Sequence, residues 1–116
     1  MDDYAEKSIL DTKSVLSRIG GDELRLKQLY SFSLHEIRKW NEKVSVMINS
    51  ADFEEIRKTI HGFKGSSATI GAERCRSLFA AIETLFLNGQ NEEALKLLQK
   101  CPEEITNLIE EIINKY

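Results

Sequence analysis

A histidine, a lysine and two glycines stand at helical spacing within residues 59–71, which read T-I-H-G-F-K-G-S-S-A-T-I-G. On a helix, positions three and four apart share a face, so His61, Lys64 and Gly65 are neighbours. Together they offer an imidazole nucleophile, a cation one turn away that can meet phosphate oxygens, and bare backbone that a bulky partner can approach. That combination suits a histidine that receives and passes on a phosphoryl group.

Helical phase separates this histidine from the core. At about 100° per residue, Phe53, Ile56, Ile60, Phe63 and Ile70 form one apolar stripe. His61 points roughly 130° from the centre of that stripe, toward solvent. Lys64 lies between the two, where its stem can rest on apolar neighbours while its ammonium reaches out. Arg57 is one turn before the histidine, and Gly65 and Ala68 are one and two turns after it. The exposed face is therefore basic and flanked by small side chains. A glycine in a helix interior costs about 1 kcal/mol relative to alanine, so Gly62 and Gly65 beside His61 suggest that close approach of a partner matters. An exposed histidine is otherwise most often an ordinary surface residue. His35 is read that way, because its phase opposes the core stripe of its own helix.

The elements that position these residues are all helical. A first short helix is expected over residues 5–19, with Ile9, Leu10, Val15, Leu16 and Ile19 inward, ending at Gly20-Gly21. Asp22 is a natural cap for a long second helix running to about Asn49. Leu26, Leu29, Tyr30, Ile37, Trp40, Val44, Met47 and Ile48 fall on one side of it. Asn49-Ser50-Ala51-Asp52 is a break, with Asp52 or Ser50 capping the third helix, which ends near Gly71. A fourth helix over residues 72–87 buries Cys75, Leu78, Phe79, Ile82, Leu85 and Phe86. Asn88-Gly89-Gln90-Asn91 is the clearest turn. The last stripe runs through Ala94, Leu97, Leu98, Cys101, Ile105, Leu108, Ile109 and Ile112, and its phase survives Pro102. One kinked helix or two nearly collinear ones are expected there. No region alternates with the period of a strand. The fold class is all-α: an antiparallel four-helix bundle over residues 22–115, with residues 1–20 as an N-terminal cap helix, in a single domain spanning 1–116.

Composition narrows the function. With 41% hydrophobic and 30% charged residues in 116, the chain reads as a folded, single-core domain. A net charge of -3 argues against general nucleic-acid binding. No apolar run is long enough to span a bilayer. The opening Met1-Asp2-Asp3 lacks the basic-then-apolar pattern of a secretory signal, so a cytoplasmic location is expected. The two cysteines, Cys75 and Cys101, fall in core stripes and fit reduced packing residues, and no ligand pair has metal-binding spacing.

The stretch I-H-G-F-K-G-S-S-A-T-I-G-A closely resembles the phosphoacceptor motif of histidine-containing phosphotransfer (HPt) domains. That pattern is a histidine, two residues, then lysine-glycine-serine, with a later glycine ending the helix. Here those positions are His61, Lys64, Gly65, Ser66 and Gly71. Upstream, V-L-S-R-I-G-G-D-E at 15–23 is typical of the family's first helix and turn, and downstream A-A-I-E at 80–83 and N-G-Q at 88–90 occupy the expected places. Gly62 is a departure, standing where a better helix former would be unsurprising. The resemblance implies a multistep two-component phosphorelay, in which His61 takes a phosphoryl group from a receiver aspartyl-phosphate and passes it to another receiver aspartate. It makes Lys64 the candidate for steadying phosphoryl oxygens, Gly65 the place where receiver loops close over His61, and Arg57 electrostatic support. Ser66 is assigned by motif. Its phase turns it from His61, so a structural hydrogen bond is expected of it.

Receiver domains of response regulators, and a hybrid sensor histidine kinase, are the implied partners of a monomeric chain. No cofactor is expected here, with Mg2+ carried by the receiver. A docking surface is expected on the exposed side of the His61 helix, including Ala68, and on the adjoining face of the second helix, where Phe32 and Leu34 edge the stripe. Histidine kinases resemble each other in an acidic residue directly after the phosphoacceptor and a proline soon after. Here Gly62 follows, no proline is near and no glycine-rich nucleotide loop is present, so an autonomous kinase is disfavoured. The alternative is a non-catalytic, receiver-binding helical module.

Overall fold

Aspartate side chains open three of the helices. The carboxylates of Asp11, Asp22 and Asp52 accept from the backbone N–H groups of Ser14 at 3.1 Å, Arg25 at 3.1 Å and Glu55 at 3.2 Å, satisfying donors that a helix start leaves free. The computed structural model describes residues 3–116, and Met1-Asp2 of the N-terminal reading lie outside them. A 3-10 helix spans Asp3–Glu6. It is followed by α1 (Thr12–Arg18), α2 (Glu23–Met47), α3 (Phe53–Ile70), α4 (Glu73–Leu87), α5 (Asn91–Leu98) and α6 (Cys101–Lys115). The described residues contain no strand, and the all-α class holds. No helix among them is long and apolar enough to cross a membrane.

The N-terminal boundary differs from the sequence reading. Residues 5–19 do not form one helix, because the backbone between the 3-10 helix and α1 is bonded to the α3–α4 junction. Asp11 N–H donates to Gly71 O at 2.7 Å, while Ser8 O accepts from Arg74 N–H at 3.0 Å and Lys7 O from Arg74 Nε at 3.1 Å. Those long-range bonds replace the local helical ladder and seat Tyr4 and Leu10 in the core. At the other end, the final stripe is divided into α5 and α6 by a tight turn at Gln99-Lys100. Pro102 stands in the first turn of α6, where its missing N–H breaks no intrahelical bond.

Packing is most extensive between α3 and α4, with α2 lying against α6 and α3. An aromatic cluster joins three of these helices. Trp40 of α2 stacks on Phe63 of α3 at 5.0 Å between ring centroids and meets Phe79 of α4 edge-on at 5.7 Å, while Phe63 and Phe79 are 5.5 Å apart. Each such pair is worth about 0.5–1.5 kcal/mol beyond its buried area. The predicted α2 stripe is buried at Leu26, Tyr30, Ile37, Trp40, Val44 and Met47, with Leu29 and Ile48 half-buried. Cys75 and Cys101 are free, buried thiols, and Cys75 Sγ donates to Glu104 O at 3.6 Å. Burial, with Glu104 nearby and Arg74 opposing, pushes the Cys75 thiol up to about 12.

Candidate functional site

The C-terminal turn of α3 is held from three directions, which fixes the height of His61 on its helix. Gly71 takes the left-handed conformation at φ 73°, and a Cβ there would lie 2.6 Å from Asp11 O and 2.8 Å from Val15 Cγ2. Only glycine fits both the angle and the space. The Arg18 guanidinium donates to Ala68 O at 3.1 Å and Thr69 O at 3.2 Å, and the Tyr30 hydroxyl donates to Ile70 O at 2.8 Å. These bonds satisfy carbonyls that a helix end leaves open. Burial, then the neighbouring Tyr116, raises the Tyr30 phenol well above its ordinary value, so it stays a donor. Along the α3–α4 seam, the Phe63–Phe79 contact and the Phe53–Phe86 stack at 6.1 Å set the register of one helix on the other.

That register places Glu83 of α4 beside His61. His61 Nδ1 is 2.6 Å from Glu83 Oε2, and Lys64 Nζ donates to Glu83 Oε1 at 2.5 Å. Arg57 Nη1 stands 3.8 Å from Glu83 Oε2, while its Nη2 donates to Glu54 at 2.6 Å. The Glu83 side chain is 8% exposed, that of Lys64 32% and that of His61 63%. Burial works against ionisation of Glu83, but the bonds from Lys64 and His61 outweigh it and hold its carboxyl below the usual value. An ionised carboxylate only accepts, so the shared proton belongs on Nδ1. The Nε2 lone pair is left for attack.

The other expected residues fall around this centre. A Cβ built on Gly65 or on Gly62 would meet nothing within 4 Å, so neither glycine answers an internal packing need. Ala68 is exposed beyond Gly65, and His35 is also exposed. Ser66 faces away from His61. It lines a groove of about 230 Å³ between α2 and α3, together with Leu29, Phe32, Trp40 and Thr69. Its hydroxyl makes no hydrogen bond among the described residues, unlike the structural bond expected of it. Thr69 Oγ1 instead donates back to Gly65 O at 3.2 Å. Phe32 is 75% exposed, and Leu34 is half-buried against the core. Glu83 was absent from the candidate residues. Its signal was a carboxylate four residues after Phe79, inside an apolar stripe where a charge needs partners. Among the described residues, no three acidic, histidine or cysteine side chains gather to hold a metal.

A family model described as Hpt domain matches residues 25–115, from within α2 to the end of α6. The chain belongs to the Hpt family. Hpt domains serve histidine phosphotransfer in phosphorelays and interact with receiver domains. The match takes in His61, Lys64 and Glu83, so the clustered side chains all lie inside the Hpt domain. No curated protein and no solved structure matches this Hpt chain significantly.

Proposed function

We propose that this Hpt domain shuttles phosphoryl groups between receiver domains, with His61 as the phosphoacceptor. Nε2 attacks the phosphorus of a receiver aspartyl-phosphate, the N–P bond forms, and the aspartate leaves as a carboxylate. Transfer to a second receiver reverses these bonds. The observation that carries the reading is the placement of Nδ1 2.6 Å from the Glu83 carboxylate on a 63% exposed side chain, which gives the ring proton a partner and leaves Nε2 for attack. Positioning and charge stabilisation are most of what phosphoryl transfer asks of a protein. Lys64 supplies the cation, one turn from His61, and moves from Glu83 to the phosphoryl oxygens as they arrive. Arg57 adds positive potential behind it. Gly65 and Ala68 give a receiver's loops access, and Phe32 anchors the receiver beside the α2–α3 groove.

The scaffold in this reading is one domain, an antiparallel bundle of α2, α3, α4 and the α5–α6 pair with the N-terminal segment as cap. Supporting contacts run in opposite chain directions: Tyr30 with Ile70 and Trp40 with Phe63, His61 with Glu83 and Phe53 with Phe86, Tyr30 with Tyr116 and Asn41 with Thr106. The domain works as a cytoplasmic monomer without a cofactor of its own, and magnesium belongs to the receiver.

The test is to mix the protein with a receiver carrying labelled aspartyl-phosphate and to map the label. Phosphate lost in acid, stable in base and located on His61 Nε2 is expected, with none on His61→Gln. Receiver binding without label on the wild type, unchanged by His61→Gln, would instead support a non-catalytic binding module.

A further inference from the structure

Nε2 of His61 takes a phosphoryl group only from phosphorus brought within bonding reach, so a docked receiver is centred near His61. A specific interface covers about 800 Å² of each partner, a patch roughly 16 Å in radius. Phe32 stands toward one edge of that patch, because it shares its groove with Thr69, about 12 Å of helix rise beyond His61. In the other direction along the same α2–α3 seam lies a second groove, of about 290 Å³, lined by Glu42, Lys43, Val46, Met47 and Thr59. Thr59 is only about 3 Å of rise before His61, and packed helices lie about 8–10 Å apart. The second groove is therefore nearer the reacting nitrogen than Phe32 is.

We propose that the Val46 groove is a second anchor point for the docked receiver and takes an apolar side chain of that partner. Contacts on both sides of His61 then fix the phosphorus in line with Nε2. The inference rests on the phosphotransfer reading above and carries its docking surface past Phe32, toward the start of α3. Val46 is 71% exposed in the last turn of α2, while its neighbours Val44 and Met47 are buried, so the fold makes little use of its side chain. Met47 gives the groove an adaptable apolar lining. The Thr59 hydroxyl already donates to Glu55 O at 3.0 Å, so it loses no partner when water leaves the groove. Glu42 and Lys43 supply the polar rim that interfaces carry around an apolar centre. Gly62 joins the two grooves. It is one turn from Thr59 and one turn from Ser66, the α3 residues of the second and first groove, and so shares their face. An added Cβ on Gly62 would meet nothing within 4 Å, so a partner can lie close to α3 between the two anchors.

The α4 side of His61 is built differently. There Arg57 is held by Glu54 at 2.6 Å, and Glu83 bonds both His61 and Lys64. An apolar side chain entering on that side would desolvate or displace charge-assisted bonds already made. Leu87, one turn after Glu83, is 65% exposed there and provides an apolar control of similar exposure to Val46.

The experiment measures single-turnover transfer from a receiver carrying labelled aspartyl-phosphate, at a series of receiver concentrations, to the full chain as wild type, Val46→Asn, Val46→Ile and Leu87→Asn. In parallel, each chain is phosphorylated with potassium phosphoramidate, a small donor that needs no docking surface. Val46→Asn, neutral and close to valine in size, is expected to raise the half-saturating receiver concentration about tenfold, the effect of losing one buried apolar side chain. Its limiting rate should stay within about twofold of wild type, because the reacting groups are untouched. Val46→Ile, which keeps the apolar contact, and Leu87→Asn should saturate as wild type does. Phosphoramidate should label His61 at one rate in all four chains. Saturation of Val46→Asn at the wild-type concentration overturns the inference and leaves the phosphotransfer reading standing. So does a Val46→Asn loss that phosphoramidate shares, since that reports damage to the site and not to docking. Failure of the receiver to label wild type, while phosphoramidate does, overturns both.

Discussion

Glu83 determines which nitrogen of His61 is free, because its carboxylate accepts from Nδ1 at 2.6 Å and holds Lys64 with its other oxygen. The same bonds make it a measurable part of stability. A carboxyl lowered on folding contributes stability that is complete above its unfolded value, about 4.3 for glutamate, and that is lost as pH falls through the folded value. Glu83 is lowered, with Lys64 and His61 overcoming the effect of burial. The stability difference between wild type and Glu83→Gln is therefore expected to move against wild type as pH falls below about 4. Denaturant unfolding at each pH measures it, and a difference that favours wild type more strongly as pH falls below about 4 would contradict the ionised carboxylate. Lys64 carries a separate expectation. Hydrogen bonds to charged groups are worth about 1.5–3 kcal/mol, so Lys64→Ala should slow phosphoryl transfer from a receiver by roughly tenfold or more. A rate equal to wild type in rapid-quench assays would reduce Lys64 to a partner of Glu83.

Three glycines of α3 and its end have opposite expected effects. Gly71 sits at φ 73° with Asp11 O 2.6 Å from where a Cβ would stand, so Gly71→Ala should cost about 2 kcal/mol or more in denaturant unfolding. Gly65, like Gly62, has nothing within 4 Å of an added Cβ. Gly65→Ala should stabilise the helix by up to about 1 kcal/mol while weakening transfer, because the methyl group meets the partner and not the fold. A Gly65→Ala chain that transfers at the wild-type rate would remove the partner-approach role. At this scale the sequence was legible where one rule acted alone. Stripes at helical period located α2, α3 and α4, and side-chain caps located the starts of α2 and α3. It was not legible where distant backbone intervened: residues 7–11 bond to Gly71 and Arg74, and no local pattern announces such partners. The division of α5 from α6 left the hydrophobic phase intact, so periodicity could not separate a kink from a break. Glu83 was hidden for a related reason, since its meaning depends on which residues of α3 face it across the seam.

Across the whole molecule, the aromatic cluster and the clamps at the end of α3 hold the helices rigidly, and the chemistry is displayed on one flank. His61 opens to solvent between the Glu83 side of α4 and the groove that Phe32 borders. Phe32 is 75% exposed, so Phe32→Ala should change unfolding stability by no more than about 0.5 kcal/mol. If it anchors a receiver, receiver affinity should drop about tenfold, as for an aromatic at an interface centre. Unchanged affinity in titration calorimetry would move the docking surface off α2. The account as a whole depends on passage of phosphate through one nitrogen. The most direct test is a reconstituted relay: a receiver carrying labelled aspartyl-phosphate, this protein, and a second receiver, with magnesium and no ATP. The account predicts label on the second receiver with wild type, and none with His61→Gln or with the protein left out. Label reaching the second receiver equally well through His61→Gln would contradict it.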